Sequence, residues 1–451
     1  MRYVRFFGSV LLAIPCLAQG IGAQGTTPPA SDTTLHPIAL QDAVLMAQKN
    51  APAAVQARGQ IETAESSVRS AYGQFLPNVQ LTAGQSQLTN GTQTIDPVTR
   101  TLRPCTACGW SYSAGLSSQV TLFDGFQNVN NLRARRSDVG SATANEVAQQ
   151  FNIALQVKTQ YANILAARES ESAARAQLEQ AQQQLVAASA KVRAGAATMS
   201  DSLRSVIAVG NAQLALLTAR NSLRVASASL TRLVGAEHLV TASPEDTLDR
   251  PMTPIDSLTL AQLAADGPPV RQAESQLSSS KASLVAAKST YLPTVTFRFS
   301  RNGNGAAKDA HLYGLGDGSL AYGSNWSLNF SLPVFNNFSR EDARTRALVN
   351  ADNAEASLRD ARLAAQQNII QQLGALHTAE EQIRINQLSV AAAEEDLRVQ
   401  QQRYQLGAST LVELLTSQSG LNTARASLIQ SRQNYRLARA QIEAIIGRDL
   451  Q

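Results

Sequence analysis

Apolar residues recur every seven positions near the end of the chain, at Leu414, Leu421, Leu428, Tyr435 and Ile442. The same interval separates Val209, Leu216, Leu223 and Leu230. Further upstream it links Leu178, Leu185 and Val192, with Val390, Leu397 and Tyr404 as their counterparts. Spacing of this kind draws one apolar seam along a helix and predicts helices packed side by side as coiled coils. Elsewhere the period changes to two. From Ser327 to Leu332, and around Val79, Leu81 and Ala83, apolar and polar residues alternate, which predicts strands with one apolar and one polar face.

The pattern occurs twice. Leu76-Pro77-Asn78-Val79 returns as Leu292-Pro293-Thr294-Val295, and Asn50-Ala51-Pro52 is echoed by Asp266-Gly267-Pro268. Val120-Thr121-Leu122-Phe123-Asp124-Gly125-Phe126 matches Leu332-Pro333-Val334-Phe335-Asn336-Asn337-Phe338. Gly195-Ala196-Ala197-Thr198 matches Gly407-Ala408-Ser409-Thr410, and Leu233-Val234-Gly235 matches Ile445-Ile446-Gly447. Self-similarity at a fixed offset marks a tandem duplication. The predicted first repeat spans 24–235, with strands at about 79–89 and 109–123 and helices at about 40–75, 127–194 and 198–234. A Pro-rich, acidic linker at 236–256 leads to the second repeat, 257–451, with strands at about 295–302 and 323–335 and helices at about 258–291, 339–406 and 411–446.

Helix lengths then suggest an architecture. A helix from about 127 to 194 is roughly 100 Å long at ~1.5 Å per residue. Its two flanking helices run opposite to it and, stacked end to end, add up to about the same length. Each repeat therefore offers two strands at one end and two helical columns behind them. Aromatic residues make up 5% of the chain, too few for ordinary globular cores of this size, whereas Ala, Gln, Ser, Leu and Arg suit long helices.

The first residues are Arg2 and Arg5, an apolar stretch from Phe6 to Leu17, and small residues at Ala18 and Ile21-Gly22-Ala23. This is the order of a secretory signal peptide, expected over 1–23, with cleavage after Ala23 favoured over Ala18. Pro15 before Cys16 is wrong for lipid attachment. Beyond that segment no run of 18 apolar residues occurs, so any membrane crossing falls to the strands. Their alternation suits a barrel with an apolar lipid face and a polar lumen, and Trp110, Tyr112, Trp326, Phe123, Phe126, Phe335 and Phe338 lie near strand ends as in interfacial aromatic girdles. Four strands cannot close a barrel, and open edges in lipid would leave backbone groups unpaired. Chains must pool their strands, and a trimer supplies twelve. The expected fold is therefore mainly α with a membrane β-barrel: a tandem-repeat protomer of four strands and a long coiled-coil α-barrel, closed as a trimeric twelve-stranded barrel.

Candidate chemistry is sparse. His36, His238, His311 and His377 share no metal-ligand spacing, and no nucleophile elbow or phosphate loop occurs, so neither enzyme nor cofactor is expected. Gly303, Gly305, Gly314, Gly316 and Gly318 read as a flexible loop between two strands. Arginines such as Arg425, Arg432, Arg436 and Arg439 account for the net charge of +5 and read as solvated helix faces rather than a nucleic-acid surface. Cys105 and Cys108 form a lone C-x-x-C in the first inter-strand loop, read as a possible local disulfide with free thiols as the alternative.

The Leu-Pro-x-Val strand starts, the Val-Thr-Leu-Phe-Asp-Gly and Leu-Pro-Val-Phe-Asn-Asn strand ends, and the run Arg403-Tyr404-Gln405-Leu406-Gly407-Ala408-Ser409-Thr410-Leu411-Val412-Glu413-Leu414-Leu415 resemble the outer-membrane efflux protein family, of the TolC type. The resemblance covers nearly the whole chain after residue 23. It implies a homotrimeric outer-membrane channel-tunnel, a passive conduit of a tripartite efflux or type I secretion system, with a periplasmic adaptor (membrane fusion protein), an inner-membrane pump and outer-membrane lipid as partners. It further implies that Gly195, Ala196, Thr198, Gly407, Ala408 and Thr410 form the adaptor-contacting periplasmic tip, and that Asp201 and Glu413 are gate carboxylates. Thr416 stands where a second acidic residue can occur one turn on, which puts cation selectivity at that gate in question. The competing reading is a periplasmic coiled-coil adaptor or structural protein of the envelope.

Overall fold

A computed structural model describes residues 35–87, 93–95, 100–104, 110–243, 257–307 and 321–450. The segment expected to be a signal peptide, Cys105 and Cys108, Gly314, Gly316 and Gly318, His311 and most of the linker lie outside the described residues. In chain order the elements are β1 (His36–Ile38), α1 (Leu40–Asn50), α2 (Pro52–Gly73), β2 (Asn78–Gln87), β3 (Gln93–Ile95), β4 (Leu102–Pro104), β5 (Trp110–Phe123), α3 (Gln127–Arg193), α4 (Met199–Val234) and β6 (Val240–Ala242). Then follow α5 (Ser257–Ala265), α6 (Pro268–Ser289), β7 (Thr294–Ala307), β8 (Ala321–Ser331), α7 (Ser339–Gln405) and α8 (Leu411–Ile446).

The duplication is metrical as well as sequential. α3 and α7 each have 67 residues, α4 and α8 each 36, and α2 and α6 each 22. Two expected helices are broken. The one at 40–75 divides at Ala51, whose extended backbone precedes Pro52, the residue that opens α2. The one at 258–291 divides at Asp266-Gly267 before Pro268. At that break Gly267 lies so close to α8 that a Cβ would stand 2.2 Å from the Ile445 carbonyl oxygen, so no larger residue fits.

These breaks are where columns stack. Asn50 at the end of α1 donates from Nδ2 to the Val234 carbonyl at the end of α4 (3.2 Å). In the second repeat Gly447, just past α8, abuts the Pro268 ring at the start of α6. Both α4 and α8 end on a left-handed glycine, Gly235 and Gly447. Around the first junction β1 and β6 pair in parallel, and Ile153, Val157, Tyr161 and Ile164 of α3 bury against Ala43, Ala47, Leu230 and Val234. Part of the expected linker is thus a strand, seated on the helices by the Tyr161 hydroxyl, which donates to the Ile38 carbonyl and accepts from the Ser243 amide.

Four long strands form one antiparallel sheet in the order β2-β5-β7-β8, so the last strand of repeat one pairs with the first of repeat two. The sheet departs from the expected bounds at both ends of the second hairpin. β7 continues from Asn302 through Gly303 and Gly305, which are strand residues rather than loop. Gly303 is required there because a Cβ would strike the Tyr322 ring of β8. β8 begins at Ala321 and stops at Ser331 instead of reaching Phe335, since Pro333 has no amide to extend the ladder. A short hairpin, β3 and β4, lies within the stretch expected to be loop.

The same lateral order runs through the helices. Beside the sheet the neighbours are α2, α3, α6 and α7; farther away they are α4, α3, α8 and α7. One flank of the chain is therefore β2, α2 and α4, all from repeat one, and the other is β8 and α7, both from repeat two. The seam residues face inward: Leu216, Leu223, Leu230, Leu397, Tyr404, Leu414, Leu421, Tyr435 and Ile442 are buried. No helix among the described residues is long and apolar enough to cross a membrane.

Candidate functional site

The two ends of the molecule carry the functional chemistry, and the sheet comes first. Register places Val79, Leu81, Leu116, Val120, Leu122, Phe297, Phe299, Trp326, Leu328 and Phe330 on one face. On the other face are Asn78, Gln80, Thr82, Ser113, Ser117, Gln119, Thr296, Ser300, Asn302, Asn325 and Asn329. Apart from Tyr112, which is buried, much of the apolar side is open among the described residues, and Leu81 and Phe330 are exposed at 79% and 67%. In water such a face would be covered, whereas lipid demands it.

Aromatic residues cluster where strands hand over to helices. Phe123 stacks edge-on against Phe126, and Phe335 against Phe338. Phe126 and Phe338 hold left-handed backbone with positive φ, a costly conformation for a bulky residue, and both are exposed. Gly125 makes the first turn possible, because a Cβ there would meet Leu292 Cβ at 2.3 Å.

At the opposite end α3 and α7 stop in the same way. Ala196 N–H bonds the Lys191 carbonyl and Gly195 N–H the Val192 carbonyl; Ala408 N–H bonds the Arg403 carbonyl and Gly407 N–H the Tyr404 carbonyl. Both are Schellman stops, with Gly195 at φ +74° and Gly407 at φ +75°. Thr198 and Thr410 then cap α4 and α8, each hydroxyl accepting a bond from the third helical amide, Asp201 or Glu413. The six residues expected at the tip lie in these two turns, which are largely exposed.

The two carboxylates expected at a gate each have a local role. The Asp201 carboxylate accepts from the Thr198 amide (3.1 Å) and hydroxyl (2.8 Å), completing a capping box. Glu413 accepts instead from the Ser409 hydroxyl (2.8 Å) and is exposed. Sequence spacing did not single out what joins the two hairpins. The Lys191 ammonium, at the end of α3, lies 4.0 Å from the centre of the Tyr404 ring of α7 and bonds its carbonyl. Burial and, secondarily, the charge of Asp201 push the Tyr404 phenol above its ordinary range. The Tyr404 hydroxyl is buried with no hydrogen-bond partner among the described residues. Leu406, 85% exposed, and Met199, 64% exposed, leave apolar surface at the turns.

Higher up, ion pairs tie repeat to repeat. Lys158 of α3 reaches Glu443 (2.6 Å) and Asp449, while Glu169 meets Arg436 (3.0 Å) and Arg432 (3.5 Å). Burial alone would lower the Lys158 pKa; the Glu443 charge and the hydrogen bonds to Asp449 and Glu443 outweigh it and raise it. Between this cluster and the tip the paired charges stay within one hairpin, as in Arg220 with Glu171 and Arg425 with Glu394. Among the described residues no group of three or more His, Cys, Asp or Glu side chains can hold a metal.

This geometry has close relatives. The family model for outer membrane efflux proteins matches residues 44–236 and 259–448. The chain is 27% identical over 428 residues to protein CyaE of Bordetella pertussis, covering 92% of this chain and 85% of that protein. It is 27% identical over 350 residues to the pyoverdine export outer membrane protein OpmQ of Pseudomonas aeruginosa, covering 73% and 68%. In fold it is similar to crystal structures of CusC (TM-score 0.76, 16% identity, 94% and 96% covered) and of the Campylobacter jejuni CmeC outer membrane channel (TM-score 0.74, 18% identity, 91% and 86% covered).

Proposed function

This chain belongs to the outer membrane efflux protein family, and from that membership we propose that three copies close flank to flank into one passive conduit from the periplasm to the exterior. The chain is an outer-membrane export-channel subunit. The observation that supports closure is the lateral order shared by sheet and helices. β2, α2 and α4 on one flank and β8 and α7 on the other have a lateral neighbour on one side only in the single chain. β2 and β8 run in opposite directions, so β8 of one copy can pair antiparallel with β2 of the next. A head-to-tail contact of this kind forms a ring when the rotation closes, and three copies give twelve strands, an even number that leaves a lumen.

The helical columns then continue as a tube about 100 Å long below the barrel. Energy for transport comes from an inner-membrane pump reached through a periplasmic adaptor, so this chain needs no catalytic residues. Gly195, Ala196, Thr198, Gly407, Ala408 and Thr410 contact the adaptor at the tip, where Leu406 and Met199 add apolar surface. Asp201 and Glu413 ring the tip with carboxylate, and the Lys191–Tyr404 contact holds the two hairpins of a chain together there. Cargo follows the pump; the related OpmQ is a pyoverdine export protein.

Purification from outer membranes in detergent, with native mass and planar-bilayer conductance, tests the reading. A trimeric mass with discrete channels supports it. A water-soluble, non-conducting species would return the chain to the class of periplasmic coiled coils.

A further inference from the structure

The four strands of the sheet contain two charged residues, Arg298 and Arg301, both on β7, and no acid. Three positions apart, they point to opposite faces. Arg301 shares the apolar face, its guanidinium 5.5 Å from the centre of the Tyr322 ring. Arg298 shares the polar face, opposite Gln119 on β5 and Ser327 on β8.

Arg298 is held in place without being neutralised. Its Nε (3.2 Å) and Nη2 (2.8 Å) both donate to the Gln119 side-chain oxygen, a neutral acceptor. An arginine kept for packing or ion pairing ordinarily meets a carboxylate, whose charge cancels its own. Here the fork orients the guanidinium and leaves its charge intact. Along the polar face the neighbours are Thr296, Ser300, Ser117 and Thr121, none of them charged. The acid nearest the base of the sheet, Asp124, lies in the strand-to-helix turn and accepts the Asn128 amide.

We infer that Arg298 is a specificity-determining residue of the conduit: in the closed barrel its three copies form a positive ring that favours anionic over cationic solutes at the outer-membrane end. The inference rests on the trimeric reading above. Twelve strands about 4.8 Å apart and tilted about 40° make a ring of radius ~12 Å. Each guanidinium then stands within roughly 10 Å of the axis, close to the Debye length of about 8 Å at physiological salt, so screening does not hide the ring from a passing ion. The tip mixes Asp201 and Glu413 with Lys191, Arg193, Arg204 and Arg403, whereas the sheet carries arginine alone. Within the sheet, charge selection therefore rests on Arg298.

The test is the chloride-to-potassium permeability ratio of reconstituted protein in a KCl gradient, for wild type, Arg298→Gln, Arg298→Glu and Arg301→Gln. The ratio is expected to fall about twofold in Arg298→Gln and about fivefold in Arg298→Glu, and to stay unchanged in Arg301→Gln, whose charge faces lipid. Arg298→Gln keeps a side-chain amide able to bond Gln119, so it reports even if Arg298→Glu assembles poorly. An unchanged ratio in conducting trimers of Arg298→Gln would overturn the role of Arg298 and leave the conduit standing. Wild-type protein that is not trimeric and forms no channels would overturn both.

Discussion

α4 and α8 are duplicates of equal length, yet they meet different surroundings. α8 lies between α3 and α7 and buries Leu411, Leu414, Gln418, Leu421, Tyr435, Ala438, Ile442 and Ile446. α4 has α3 on one side only, and Leu203, Val206, Ile207, Leu214, Leu217 and Val225 stand exposed along it. The long helices show the reverse asymmetry. α3 is enclosed and buries Ile153, Val157, Tyr161 and Ile164, whereas α7, on the flank, exposes Leu363, Ile370, Ile385 and Leu388. Position 158 is Lys158, locked to Glu443 of α8; the duplicate position on α7 is Ile370, 70% exposed. In the proposed trimer, α4 of the next copy would be to α7 what α8 is to α3 within one chain. The lesson is that duplication fixed the elements, while placement on a flank or in the middle decides which of their apolar stripes still needs a neighbour.

The largest effect is expected from charging that stripe. Leu214→Asp with Leu217→Asp on α4 should reduce recovered trimer at least ~10-fold in native mass measurements, because carboxylates buried in a helix contact are left unpaired. The chain itself should keep its helical circular dichroism, since α4 folds against α3 through its other face. Next, Gly195→Pro or Gly407→Pro removes a left-handed stop that only glycine adopts readily. Export measured in cells should be lost, with the trimer still recovered from outer membranes.

A smaller change follows from Lys158→Met, which severs one of the ion pairs between repeats. It should lower stability by about 2 kcal/mol near neutral pH, read from thermal or denaturant unfolding. Because the Lys158 pKa is raised in the folded chain, its contribution is complete below the ordinary lysine value of 10.5 and disappears as pH rises through the folded value. The difference between wild type and Lys158→Met should therefore shrink in strongly alkaline buffer. Smallest is Glu413→Ala, which removes an exposed carboxylate at the tip. Single-channel conductance or leak should rise modestly, about twofold or less. No rise would leave Glu413 as a surface residue bonded to Ser409.

Much of this is legible in the amino-acid sequence. The seven-residue seams and the paired Leu-Pro and Gly-Ala motifs reported helices, strands and turns because each depends on local spacing. The breaks at Ala51-Pro52 and Asp266-Gly267 were hidden because apolar spacing continues across them and only packing of the next helix end against them exposes the stop. β1 and β6, three residues each, are too short to show a period, and their pairing depends on Tyr161, more than a hundred residues from β1. Gly303 and Gly305 read as loop because glycine usually ends strands, whereas here Gly303 makes room for Tyr322. At the tip, glycine and threonine positions were readable; the contact of Lys191 with Tyr404 was not, since it crosses between repeats. In the seam Tyr404 looked like any apolar spacer.

Cysteine cross-linking reads out whether the β2 flank of one copy meets the β8 flank of the next. With Cys105 and Cys108 replaced by serine, Gln80→Cys on β2 and Asn329→Cys on β8 sit on the two exposed edges of the sheet, separated within one chain by β5 and β7. A thiol cross-linker with reach on the order of 10 Å, about two strand spacings, is applied to intact membranes. A covalent trimer is expected from the double variant and uncross-linked protein from either single variant. A covalent dimer from a single variant, or an open ladder beyond three copies, would contradict head-to-tail closure of three chains.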